Sequence, residues 1–331
     1  MKTFAGIDVG AKTFVLAWRR DGRTAGQTTM DQSPEGHRQL VVRLRALQPE
    51  QVVLEATGVY YLDLAVALAQ AKLAVSVINP RSFHHFAKLK LSPSKTDSLD
   101  AQLLAEYAER MQPPRWTPPD TTQLALRDLG RQINRLTATR TQAKNRLHAL
   151  RAKRATLALL LKDELEAIAT LDQRIERLTQ AACDLLAQHS ELAEQAQRLQ
   201  SAKGVGLASA IALLAELAVL PSTLRAPQVA RYAGLDVRLC QSGTSVHKAP
   251  RISKAGNAYL RAALYMPALC AVRHDPRARA FYEALQRRGK KKLQALCAVM
   301  RKLLTGLWAC LKNHQSFDST KLFSDIHLTH G

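Results

Sequence analysis

The sequence predicts an α/β domain, then a long helical segment, then a mainly helical and strongly basic domain. Three observations carry this expectation. Residues 1–112 alternate short apolar runs with stretches of helical spacing. Residues 120–220 contain no proline and keep a regular apolar period. The 331-residue chain carries 48 Lys and Arg against 27 Asp and Glu, a net charge of +21.

The elements follow in order. FAGIDVG and TFVLAWR read as two strands joined by a Gly-Ala-Lys turn, and RTAGQTTM reads as a third. Pro34 to Leu47 has helical spacing, with Ser33 as its N-cap. VVLEATG is a buried-type strand, Tyr60 to Lys72 a helix, and LAVSVINP a strand ended by proline. Three strands followed by alternating helix and strand make a mixed sheet. KLKLSPSK is expected to be a loop, and Thr96 to Met111 a helix. Pro113, Pro114, Pro118 and Pro119 mark a boundary.

Beyond it, Leu171, Ile175, Leu178, Ala182, Leu185, His189, Leu192, Ala196 and Leu199 step alternately by four and three. That is a heptad seam. The same steps run from Leu126 through Leu129, Ile133, Leu136, Arg140, Ala143 and Leu147 to Leu150. Two such helices make an antiparallel coiled-coil hairpin or zip subunits together. The third segment is helical with loops, including helices at 254–271 and 290–313, and the tail has no period. The expected division is 1–115, 116–200, 201–315 and a mobile tail, 316–331.

Charge is placed in blocks. Between Arg127 and Arg154 lie nine bases and one acid, Asp128; between Arg251 and Lys302 lie thirteen bases against Asp275 and Glu283. Residues 155–200 carry eight acids and four bases. Two basic blocks around a near-neutral spacer point to phosphate, and so to nucleic acid. Five cysteines without a C-x-x-C pair argue against zinc and disulfides. Aromatics, at 5%, leave a base-stacking surface of the single-strand-binding kind few residues to work with. MKTFAGIDVG opens on a strand-like segment rather than a secretory leader, and no apolar run suits a bilayer span. A cytoplasmic, nucleoid-associated protein without membrane contact is expected.

Asp8 sits in an apolar strand before a tight turn, and Glu55 ends VVLEATG beside a glycine. A carboxylate on a core strand is costly unless paired or metal-bound. Asp97 and Asp100, three residues apart, share a helix face, although Asp97 also suits a helix cap. Four converging carboxylates would repel unless divalent cations neutralised them, and oxygen donors suit Mg²⁺ or Mn²⁺.

I-D-V-G, L-E-A-T-G, V-I-N-P and K-T-D-x-x-D-A, taken together, resemble the RuvC-type half of the DEDD insertion-sequence recombinases, the IS-one-ten family with its Piv/MooV-like invertases. K-G-V-G-x-x-x-A, Y-A-G-L, Q-S-G, I-S-K-A-G-N and L-R-x-A-L-Y-M-P-A resemble that family's second, transposase half. The likeness covers nearly the whole chain. It implies an RNase H-like (RuvC-like) first domain, metal binding by Asp8, Glu55, Asp97 and Asp100, and Ser242 as the nucleophile. It further implies donor and target DNA, a noncoding bridge RNA, and a homo-oligomer, dimer or tetramer. Asp-Val follows Y-A-G-L where the family commonly has a proline, so that loop's geometry is open.

Read without the family, Ser242 is a loop serine among basic residues. A serine hydroxyl attacks phosphate only when activated, and a phosphoserine would conserve the energy of the cut strand. Arg238, Lys248, Arg251 and Lys254 are candidate phosphate contacts near it, and Arg287, Arg288, Lys290, Lys291 and Lys292 form a second basic run. G-V-G at 204–206 suits a phosphate-holding turn or a simple helix start. G-I-D-V-G also resembles the first phosphate loop of actin-like kinases, but no second glycine-rich loop appears. A non-catalytic scaffold would not need all four carboxylates. The nearest alternative is a junction-resolving nuclease using water as nucleophile.

Overall fold

The computed structural model describes residues 1–58, 60–90, 96–242 and 246–323; the side chains of 240, 242 and 246–248 are outside that description. The chain divides into two compact units, Met1–Pro118 and Pro119–Gly331.

The first unit runs β1 (Thr3–Val9), β2 (Thr13–Arg20), β3 (Arg23–Asp31), α1 (Pro34–Leu47), β4 (Gln51–Glu55), α2 (Tyr60–Gln70), β5 (Val75–Ile78), α3 (Pro80–Leu89) and α4 (Asp97–Met111). Its sheet has the order β3-β2-β1-β4-β5. β1, β2 and β3 pair antiparallel; β1, β4 and β5 pair parallel. This is the mixed α/β sheet that the sequence pattern predicts, in the RNase H-like arrangement that the family resemblance implies.

Strand periodicity sorts the side chains onto two faces. Ala5, Ile7, Leu16, Val52 and Leu54 pack with Leu40 and Leu44 of α1 and Leu64 and Leu68 of α2. Phe4, Val53 and Ile78 pack on the other face with Phe83 and Phe86 of α3 and Leu104 and Tyr107 of α4. Ser33 caps α1 as expected, its hydroxyl accepting from the Gly36 N–H at 3.1 Å. The expected loop at 88–95 is helical through Leu89, and its residues 91–95 lie outside the described residues.

The second unit runs α5 (Thr121–Arg151), α6 (Ala158–Gln188), α7 (Ser190–Gln200), α8 (Leu207–Leu217), α9 (Ala226–Tyr232), β6 (Val237–Ser242), β7 (Val246–Ile252), α10 (Ala258–Ala263), α11 (Tyr265–His274), α12 (Pro276–Arg287), α13 (Lys292–Asn313) and a 3-10 turn, Ser319–Lys321. α5 and α6 form an antiparallel hairpin. Arg140 pairs with Asp172 and Arg146 with Glu164, each at 2.6 Å, so rising numbers on one helix meet falling numbers on the other. Leu136, Ala143 and Leu147 fill the seam against Ile168 and Leu171. At the tip, Leu157, Leu159, Leu160 and Leu165 are exposed.

Several expectations need correction here. The heptad pattern does not stay on one helix: α6 ends at Gln188 and α7 begins at Ser190, with His189 in an extended conformation between them. The break falls at the seam's one polar member, where burial offers the helix nothing. Leu126, Ala182, Leu186, Leu192, Ala196 and Leu199 join the same core as α8, α9 and α13, so 116–200 is not a separate body. The expected helix at 254–271 begins later, behind the Asn257 cap, and is interrupted at Leu264. α12, capped by Asp275, follows it. The tail is not loose through 323. Phe317 and Leu322 pack on the core and Phe323 is 1% exposed, leaving only 324–331 outside the described residues.

Among the described residues one helix, α13, is long and apolar enough to cross a membrane by length and composition. Its apolar side, including Val299, Leu303 and Leu307, instead lies in the core of the second unit.

Candidate active site and basic surface

Alternation along β1 puts Asp8 on the same face as Phe4, and alternation along β4 puts Glu55 on the same face as Val53. The two strands are parallel neighbours, with Ile7 paired to Leu54, so both carboxylates stand at adjacent strand ends under α4. α4 reaches that face because β1 has no side chain at Gly6. A Cβ there would lie 2.1 Å from the Ala105 nitrogen and 2.4 Å from the Ala101 oxygen.

The first turn of α4 carries Asp97 and Asp100. Its cap is Thr96, whose hydroxyl accepts from the Leu99 N–H at 3.2 Å, so Asp97 is not the capping residue. The positive end of the helix dipole favours carboxylates in this turn. Gln27 of β3 pins the same turn, its amide oxygen accepting from Ser98 Oγ at 2.6 Å and Gln102 Nε2 at 2.8 Å. Further along, Arg19 of β2 holds Glu109 at 2.9 Å.

Asp8, Glu55 and Asp100 are half-buried and Asp97 is exposed. Glu55 and Asp100 line one open cleft of about 640 Å³, with α3 as its other wall. Glu55 Oε1 accepts from Thr57 Oγ1 at 2.6 Å. The donors are all carboxylate oxygens, a set that fits Mg²⁺ or Mn²⁺ in kind. The expected gathering of four carboxylates is not present: among the described residues, no three His, Cys, Asp or Glu side chains stand close enough to hold one ion. Like charges repel, and Glu55 turns to the Thr57 hydroxyl. The shared face is there, but not the closed cluster.

Ser242 ends β6 and pairs with Val246 across a two-stranded hairpin, rather than lying in a loop. The side chains of Ser242 and Lys248 are outside the described residues. Arg238 and Arg251 are exposed and stand directly opposite one another on β6 and β7. Like charges so paired destabilise a hairpin unless an anion lies between them. Lys254 is exposed just past β7. Arg287, Arg288, Lys290, Lys291 and Lys292 are all exposed around the turn from α12 to α13. Gly206 is the N-cap of α8, so the G-V-G segment is a helix start.

The hairpin rises from a knot between Y-A-G-L and S-K-A-G-N. The Asn257 N–H donates to the Tyr232 carbonyl at 2.6 Å and the Lys254 N–H to the Gly234 carbonyl at 3.0 Å. Arg261 donates to the Ala233 carbonyl at 2.8 Å. Asn257 also caps α10 and donates to the Tyr232 hydroxyl at 3.0 Å and to Glu216. Glu216, 1% exposed, takes both arms of Arg131 at 2.6 and 2.9 Å. That hydrogen bond raises the Arg131 pKa, and burial pushes the Tyr232 phenol up. Gly6, Glu216 and Asn257 escaped the sequence reading. The signal for Asn257 was present, since it closes S-K-A-G-N just before a helix.

Comparison with known proteins places both units. Residues 5–151 match a family described as "Transposase", the DEDD type of IS110, and residues 196–283 match "Transposase IS116/IS110/IS902 family". The pilin gene-inverting protein of Moraxella bovis is 31% identical over 323 residues, covering 96% of this chain and 98% of the relative. An uncharacterized 43.6 kDa protein of insertion element IS110 from Streptomyces coelicolor is 35% identical over 123 residues, 37% of this chain and 30% of that protein. Among solved structures, Thermus thermophilus RuvC in complex with Holliday junction substrate aligns at 18% identity and a TM-score of 0.28, covering 34% of this chain and 96% of RuvC.

Proposed function

The chain belongs to the IS116/IS110/IS902 family of transposases, and we propose that it recombines DNA by transesterification through a phosphoserine at Ser242. The observation that carries this reading is the placement of Asp8 and Glu55 at neighbouring strand ends beneath the turn bearing Asp97 and Asp100. Drawn together from the face they share, these four carboxylates would hold Mg²⁺ or Mn²⁺. A bound ion would neutralise their repulsion and polarise a phosphodiester oxygen.

The second unit supplies what a hydrolytic nuclease does not need. The Ser242 hydroxyl attacks the phosphorus, its proton passes to a base, and the strand leaves as a free hydroxyl end. One P–O bond forms as one breaks, so the energy for rejoining is kept in the ester. Arg238 and Arg251, facing one another on the hairpin whose first strand ends at Ser242, would neutralise phosphate charge, with Lys248 and Lys254 as further contacts. The run from Arg287 to Lys292 would hold nucleic-acid backbone: donor and target DNA, and a noncoding bridge RNA that pairs with both.

The carboxylates and the serine lie in different units of the chain. We take them to come from different subunits of a homo-oligomer, so that cutting depends on assembly. The exposed leucines at the tip of the α5–α6 hairpin support such an association. The test is denaturing electrophoresis of labelled DNA after incubation with protein, Mg²⁺ and copurified RNA. A protein-linked strand is expected with the native chain and none with Ser242→Ala. Mixing Asp8→Asn with Ser242→Ala subunits is expected to restore cleavage. Free cut ends from Ser242→Ala would make water the nucleophile and the protein a junction-resolving nuclease.

A further inference from the structure

The α3 wall of the cleft is built as carefully as the carboxylate wall. Asn79 caps the helix, its side chain accepting from the Arg81 N–H at 2.8 Å. Phe83 and Phe86 fix its rotation by burying themselves against the sheet, with Phe86 edge-on to Tyr107 at 5.1 Å. That rotation leaves Arg81, His84, His85 and Lys88 exposed, spaced i, i+3, i+4 and i+7 on a single face. All four line the cleft that Glu55 and Asp100 also line.

Neither Arg81 nor Lys88 joins an ion pair among the described residues, whereas Lys90, two residues on, is committed to Glu106 at 2.8 Å. Carboxylates alone repel a phosphodiester. A cationic wall opposite them lets the strand enter, and a guanidinium suits phosphate geometry while lysine adds a point charge. Imidazole N–H groups add donors. The face is about 10 Å long at 1.5 Å per residue. At roughly 3.4 Å of duplex axis per phosphate on one strand, that accommodates about three phosphates.

We infer that the Arg81–His84–His85–Lys88 face of α3 is a binding site for the phosphate backbone of the DNA strand presented to Glu55 and Asp100. This rests on the DNA-strand reading above. Arg81 and Lys88 hold the phosphates on either side of the one to be cut, and the paired histidines fill the gap between them.

The experiment is a salt titration of the full-length protein on a fluorescein-labelled DNA duplex in EDTA, followed by anisotropy. Each lost phosphate contact lowers the slope of log affinity against log salt by about one. Arg81→Gln/Lys88→Gln is expected to lower it by about two, with an unchanged melting temperature because both side chains are exposed. Arg81→Lys/Lys88→Arg is expected to keep the native slope, since the slope counts charges. A native slope in the Gln variant, or an equal loss in the charge-preserving swap, overturns the inference. If the native protein binds DNA steeply and the Gln variant matches it, only the α3 site fails. If the native protein shows no salt-dependent DNA binding, the recombinase reading fails with it.

Discussion

Gly6 and the backbone of Ala105 meet so closely that a Cβ on the glycine would lie 2.1 Å from the Ala105 nitrogen. Strand β1 and helix α4, which carry Asp8 and the Asp97–Asp100 pair, are therefore in backbone contact.

Gly6→Ala is expected to push α4 off the sheet and cost about 3 kcal/mol or more, since overpacking a filled core is destabilising. Urea unfolding checks the cost. DNA cleavage should fall much further than DNA binding, because the displaced helix carries two of the four carboxylates.

Removing a strand-end carboxylate should separate chemistry from binding. Asp8→Asn and Glu55→Gln are expected to abolish Mg²⁺- or Mn²⁺-dependent cleavage while leaving DNA affinity largely intact. Gel-shift and cleavage assays on one preparation give both numbers. Full cleavage in EDTA would rule out the metal assignment.

Lys290, Lys291 and Lys292 lie exposed at the α12–α13 turn. Replacing all three by Ala should lower the salt slope of nucleic-acid binding by up to about three, one for each phosphate contact. A slope equal to that of the native protein would make the run ordinary solvated surface.

The Arg131–Glu216 pair predicts an asymmetry between partners. Arg131→Met strands a buried carboxylate and should cost about 3 to 5 kcal/mol in denaturant unfolding. Asn257→Ala removes a second donor to the same carboxylate and the cap of α10. Combined, the two should be non-additive, because they share Glu216.

Glu106 predicts a pH dependence. Burial works to raise its pKa, but the hydrogen bond from Lys90 and the charges of Arg19, Lys90 and Arg110 outweigh it, and the carboxyl titrates below its ordinary value of 4.5. A lowered folded pKa stabilises fully above the unfolded value, and that stabilisation is lost as pH falls through the folded value. Glu106→Gln should therefore melt below the native protein at pH 7, with the gap closing as pH falls below the ordinary carboxyl value and through the lowered one. A gap that persists in acid would mean that Glu106 acts through packing alone.

Apart from α3, the order of strands and helices in the first unit could be read directly, because β1, β2 and β4 combine apolar runs with clear turn residues. Asp8 and Glu55 stood out for the same reason, as charges inside those runs. The hairpin carrying Ser242 was missed: R-L-C-Q-S and V-H-K-A-P-R-I lack an alternating apolar face, so they offer no strand signal. The break at His189 has neither Gly nor Pro to announce it. It is set by tertiary packing, which pulls Leu192, Ala196 and Leu199 into the second unit's core. The α3 face stands in the sequence as R-x-x-H-H-x-x-K, but Pro80 reads as the end of the strand before it, and residues 81–87 carry no element in the sequence reading.

The α5–α6 hairpin consists of two 31-residue helices, each about 46 Å long at 1.5 Å per residue. Leu126, Ala182 and Leu186 root it in the unit's main core, while Leu136, Ala143, Leu147, Ile168 and Leu171 form a small core of their own farther out. The arm's length is thus quantised. Deleting seven residues from each helix would keep the seam in phase, spare the root and draw the leucine tip inward by about 10 Å. A deletion that does not match the seam's repeat would rotate the tip relative to the root, so the reach of the tip from the main core is adjustable in steps of about 10 Å.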